Sequence, residues 1–171
     1  MPTTTAAASS VTSNTITADR WFVQDGFRNA TPASSMADIG IAFANLSVPA
    51  GSTIQGFELS VHGQGNGGTT PGIYLNNGTS DSSTLPCNSS FSKTDTTRTY
   101  GASNNLWGLS WTPTTAQSVV AVVDMSTMTP GSRFFFDFVQ MTITYAAEEI
   151  TEGKLILSQG LVTISAGKIT L

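Results

Sequence analysis

The stretch RFFFDFVQMTITY, residues 133–145, most narrows what this chain can fold into. Its apolar residues follow a period of two rather than 3.6. Phe135, Val139, Met141, Ile143 and Tyr145 share one parity, while Phe134, Phe136 and Phe138 share the other before it turns polar at Gln140, Thr142 and Thr144. Successive side chains of a strand point to opposite faces, so the segment reads as a long strand with a buried face. Asp137 falls among the phenylalanines and is expected to point outward at a bulge or to pair with a neighbour such as Arg133. No segment of the chain sustains a helical period.

Other stretches repeat the pattern. IGIAFANLSV (39–48) alternates Ile39, Ile41 and Phe43 with glycine and alanine. TIQGFELSVHG (53–63) sets Phe57, Leu59 and Val61 against Glu58, Ser60 and His62. IYLN (73–76) runs into the turn signal NNG, and an edge strand is expected near Lys93–Tyr100. LWGLSW (106–111) places Trp107, Leu109 and Trp111 on one face. The β-branched run Val119–Val123 reads as a buried strand. Strands separated by such turns predict an all-β, antiparallel sandwich of about eight strands, a jelly roll, over residues 19–146. Residues 1–18, mostly Thr, Ala and Ser, have little apolar pattern and read as an extended N-terminal arm.

Residues 147–171 read as a hinge and a tail with a different rhythm. Gly153, Gly160 and Gly167 recur every seventh position, each followed by two apolar residues in alternation: Leu155 and Leu157, Val162 and Ile164, Ile169 and Leu171. Glycine at that interval opposes a helix, so each unit reads as a short strand ending in a bend. Burying six such side chains does not offset the backbone entropy of ordering about twenty residues, so the tail needs a neighbour. Two arrangements satisfy this: a hairpin laid on the chain's own sandwich, or a threefold prism of three chains with the six apolar residues facing the axis.

The chemistry-bearing residues are sparse. Charged residues are 11% of the chain and its net charge is −4, with the seven Lys and Arg scattered, so no basic face for nucleic acid is expected. No apolar run is long enough to span a membrane as a helix, and the first residues lack the pattern of a signal peptide. His62 is the single histidine, on the polar parity of its strand, and is expected at the surface. Cys87 is the single cysteine and has no base beside it in sequence. The acids show no metal-ligand spacing. No enzymatic activity, metal or cofactor is therefore expected. Trp21, Tyr74 and Tyr100 are candidate surface aromatics for stacking on a sugar, with core packing as the competing role.

Three stretches carry a resemblance. SVPAGSTIQGFELSV (47–61), LWGLSWT (106–112) and VQMTITY (139–145) resemble the strand-and-turn motifs of phage structural proteins built on a jelly-roll domain, over about residues 20–145. The glycine-spaced tail resembles the short trimeric β-segments of phage fibres and spikes, with only three units, which suits a compact trimer rather than a long shaft. The resemblance implies a decoration (cement) protein on the capsid surface of a virion, made in the host cytoplasm. It implies a homotrimer whose partner is the major capsid protein, with the N-terminal arm ordering on the shell. The alternative is a tail-fibre or spike component, or a carbohydrate-binding β-sandwich, acting in host attachment.

Overall fold

The computed structural model describes residues 1–12, 29–31, 38–65, 70–86, 90–128 and 134–148, together with the backbone of 154–157, 160–165 and 168–169. Its elements, in chain order, are β1 (Thr3–Thr12), β2 (Asn29–Thr31), β3 (Ile39–Phe43), β4 (Thr53–Gly65), β5 (Gly72–Asn76), β6 (Thr96–Ala102), α1 (Pro113–Gln117), β7 (Val120–Asp124), β8 (Phe134–Ala146), β9 (Lys154–Leu157), β10 (Gly160–Ser165) and β11 (Lys168–Ile169). The fold is all-β and antiparallel, as the period-two stretches predict. The main sheet runs β5-β7-β3-β1-β8-β4-β6, with β2 on β8 beside the path. It curls until its end strands meet. Tyr100 of β6 donates its hydroxyl to the carbonyl of Pro71, the residue before β5, at 3.0 Å.

One core fills the space inside the curl. Ile39, Ile41 and Phe43, then Phe57, Leu59 and Val61, are all buried, as are Ile73, Leu75, Ala121 and Val123. Phe134 stacks edge-on against both Phe91 and Phe136, with centroids 4.2 Å apart in each pair.

Strand β8 explains why both of its parities look apolar. Val61 pairs with Val139 and His62 with Phe138, but Gly63 pairs with Phe136. Asp137 is thus the extra residue of a β-bulge, and the buried parity switches there: Phe134 and Phe136 before it, Val139, Met141 and Ile143 after it. Asp137 does not point outward. It is buried, and its Oδ2 lies 2.9 Å from Nδ1 of His62. His62 is correspondingly half-buried rather than a free surface residue. Arg133 lies outside the described residues.

The N-terminal residues are not a free arm. Thr3–Ala7 pair with Thr144–Gln140 of β8, and Ala8–Thr12 pair with Phe43–Gly40 of β3. A bulge between Ala8 and Ser10 lets the strand leave one half of the sheet and enter the other. Strand β1 therefore stands at the middle of the strand order, shared by the two halves of the sheet, and Thr3–Thr12 of the expected arm are built into it. Its buried side chains are Ala6 and Ala8. Those methyl groups suit a strand crowded between the Ile and Phe residues of its neighbours, and they leave no large apolar residue to announce it.

Helix α1 is a single turn. Thr112 caps it by a reciprocal pair of hydrogen bonds with Thr115, and Pro113 opens it. Five residues are too few to display a helical period.

The tail is a second, three-stranded antiparallel sheet, β11-β10-β9. Leu155 pairs with Val162, Leu157 with Gly160, and Ile164 with Ile169. Residues directly opposite in an antiparallel pair share a face. Positions 155, 157, 162, 164 and 169 therefore fall on one face of this meander. Leu171 lies outside the described residues.

Candidate functional site

Strand directions bring the starts of β1, β4 and β7 and the ends of β3, β5, β6 and β8 to one end of the sheet. The loops 44–52, 77–80 and 103–119 meet there. No charged residue occurs between Asp38 and Glu58, or between Arg98 and Asp124, so the two longer loops carry no charge at all.

Hydrogen bonds tie these loops into one surface. Ser47 N donates to Thr4 Oγ1 at 3.2 Å, and Gln117 Nε2 to the Val48 carbonyl at 3.1 Å. Asn77 Nδ2 donates to the Ser110 carbonyl at 3.3 Å. Phe57 N donates to the Asn105 carbonyl at 3.0 Å. Gly56 lets the chain approach this closely, since a Cβ there would sit 2.5 Å from the Ser103 carbonyl carbon.

At the centre is a tight turn, Leu106–Leu109. Trp107 and Gly108 have φ of +57° and +73°, two successive left-handed residues as in a type I′ turn, and Leu109 N closes it onto the Leu106 carbonyl at 3.1 Å. A bulky residue in that conformation stores strain of order 1–3 kcal/mol. The surroundings hold it there. Trp107 is buried, its backbone N donates to Asn105 Oδ1 at 2.8 Å, and its Nε1 donates to the Phe57 carbonyl at 3.0 Å. Trp111 braces the turn from the other side, donating Nε1 to the Leu106 carbonyl at 2.9 Å with its ring 4.2 Å from Phe57. The three residues expected to share one face are thereby split: Trp107 is core, Leu109 and Trp111 are half-buried, and Leu106 is exposed. The tail leaves from this same end, where the Glu148 side chain lies over Gly51.

The candidate aromatics do not form one site. Trp21 lies outside the described residues. Tyr100 is 1% exposed with its hydroxyl bonded, so it is a core residue and presents no ring face to a ligand. Tyr74 is half-buried beside acids: its hydroxyl donates to Asp38 Oδ2 at 3.1 Å. Partial burial, the bond to Asp38 and the charges of Asp38, Asp81 and Asp124 push its phenol up to about 12. The raised value means that the folded protein holds this proton more tightly than the unfolded chain. Tyr74 then contributes stability that is complete below about pH 10 and is lost as pH rises through about 12. Stability measured by denaturant titration between these values is expected to fall less steeply with pH in Tyr74→Phe than in the parent. Equal slopes would remove the argument.

The acids around Tyr74 are already engaged. Asp38 Oδ1 accepts from Met125 N at 3.0 Å, Asp124 Oδ2 from the Thr84 hydroxyl at 3.0 Å, and Asp81 Oδ1 from Asn76 Nδ2 at 2.7 Å. Among the described residues no group of three or more His, Cys, Asp or Glu is placed to hold a metal ion. No helix there is long and apolar enough to cross a membrane. Cys87 lies outside the described residues.

Comparison with known proteins gives no matching family model, no matching curated protein and no matching solved structure.

Proposed function

We propose that the chain is a non-enzymatic structural protein of a phage virion. In this reading it is a jelly-roll decoration protein that binds the outside of the head as a homotrimer, docks on the major capsid protein and stabilises the shell. The observation that carries the reading is the C-terminal meander, whose register gathers five of the six regularly spaced apolar positions on one face. A sheet made from about twenty residues is below the size at which a chain buries enough surface to stand alone. Three copies closing around an axis bury the shared face and leave no sheet edge free.

The main sheet supports the jelly-roll part. Because β1 changes partners midway, the sheet divides into two four-stranded halves, β5-β7-β3-β1 and β1-β8-β4-β6, with the core between them. Multivalent docking of a trimer gives avidity without chemistry.

The test is mass in solution. The full chain is expected to sediment as a trimer at micromolar concentration, and a chain ending at Ala146 as a folded monomer. A full-length monomer would rule out the threefold tail. Copy number on purified particles then places the protein: many copies on the head support decoration, and a few on the tail would replace it with host attachment.

A further inference from the structure

We infer that Asn77 is a self-modification site: its side-chain amide is lost to attack by the Gly78 backbone nitrogen, and the carboxylate that replaces it unties the 77–80 loop from the 103–119 loop. The inference stands independently of the trimeric reading.

An asparagine before glycine leaves the attacking nitrogen least shielded, since glycine has no Cβ. The chain has two such pairs, Asn66–Gly67 and Asn77–Gly78, and the first lies outside the described residues. At the second, the loop sets out the reacting groups. Thr79 N and Ser80 N both donate to Asn77 Oδ1, at 3.0 and 2.8 Å. These bonds fold the side chain forward along the chain, onto the Gly78 side. They also draw charge from Cγ and are placed to hold the negative charge that gathers on Oδ1 as the ring closes. Gly78 is exposed, has φ of +87° and has open space where a Cβ would stand, so no neighbouring group blocks the closure. Asn77 Nδ2, the leaving nitrogen, donates to the Ser110 carbonyl at 3.3 Å, and that bond strengthens as the nitrogen takes up a proton. One contact opposes the reaction. Gly78 N donates to Asn76 Oδ1 at 2.7 Å, a single neutral bond in a solvated turn that must open first.

The step needs water and no other co-reactant. Gly78 N gives its proton to solvent and bonds to Asn77 Cγ. The Cγ–Nδ2 bond breaks, and the nitrogen leaves as ammonia with a proton from water. Water then opens the cyclic imide at Cγ, giving aspartate, or at the main-chain carbonyl carbon of residue 77, giving isoaspartate. Either product loses the donor that faced Ser110, so two acceptors confront each other across the gap between the loops. The loop, which already holds Asp81 against Asn76, gains a second negative charge. Isoaspartate also lengthens the main chain inside the turn that Asn77 N closes onto the Ser80 carbonyl.

The experiment incubates the full-length chain at mildly alkaline pH, folded and in urea, and follows residue 77 by peptide mapping that separates the amide, aspartyl and isoaspartyl forms. The folded chain is expected to convert at no less than about one-third of the rate in urea, and Gly78→Ala to slow conversion at least about tenfold. Amide hydrogen exchange at Leu109–Trp111 is expected to quicken at least about threefold in the converted fraction, and Asn77→Asp to show the same quickening without incubation. A folded chain that converts more slowly than this, or only after unfolding, shows the hydrogen bonds locking the amide and overturns the inference. An unchanged rate in Gly78→Ala means hydrolysis without the Gly78 nitrogen and overturns it as well. Conversion without faster exchange at 109–111 overturns the untying of the loops.

Discussion

A chain lacking residues 2–12 is expected to lose cooperative unfolding altogether. In the intact protein this segment pairs with Thr144–Gln140 on one side and Phe43–Gly40 on the other. Removing it takes away the ladder bonds to both partners and leaves one edge of β8 and one edge of β3 unpaired. At about 1 kcal/mol net per hydrogen bond, the loss is of the same order as the whole stability of a domain, about 5–15 kcal/mol. Exposed edges also invite association with other chains. The expected signs are a broad, low-amplitude thermal transition by circular dichroism and strong binding of an apolar dye. A sharp transition within a few degrees of the parent's would show that β1 is dispensable.

Gly101→Ala is the second large effect. Gly101 has φ of +72°, and a Cβ there would meet Trp107 Nε1 at 2.6 Å as well as the Phe57 carbonyl oxygen that this nitrogen bonds. The methyl group would force apart the contact that roots the 106–109 turn. Backbone strain and the clash together are expected to cost about 2–4 kcal/mol, roughly 5–15 °C in Tm for a chain of this size. Gly78→Ala is the natural control. Gly78 has φ of +87° but open space around it, so strain alone should cost about 1 kcal/mol. Calorimetry on the two variants separates the terms; equal losses would remove the steric argument. Tryptophan emission from Gly101→Ala should also shift to the red as Trp107 loosens.

Strands with large alternating residues are legible in the sequence. Strands β3, β4 and β8 follow from period-two patterning, because a half-buried strand must alternate; β7 follows from its continuous β-branched run and β5 from the turn signal after it. Strand β1 was not legible, since its inward positions are Ala6 and Ala8 and its outward ones mostly Thr and Ser; nothing in that composition separates a central strand from a solvated arm. The paired parities of 133–145 were visible but not their cause. One extra residue at Asp137 switches the inward parity, and only the register with β4 reveals it. That same bulge turns Asp137 inward to meet His62, 75 residues earlier, a partnership no local pattern encodes. Tyr100 and Tyr74 look alike in sequence; the close approach of β5 and β6 buries one and leaves the other at an acidic rim. The exposed Leu106 was hidden by its alternation with Trp107 and Trp111, because the left-handed turn breaks the parity that a strand would have kept.

The pairing of Thr3 with Thr144 at the end of the main sheet has a mechanical consequence. Tyr145 N donates to the Pro2 carbonyl at 3.2 Å, so the first residues and the root of the tail lie side by side on antiparallel strands. Tension between them loads the β1–β8 ladder in the peeling direction, and its bonds give way one after another rather than together in shear. A pull on the backbone at Thr3 against a held Ala146 would open this protein like a zipper, at low force and from the middle of the strand order outward.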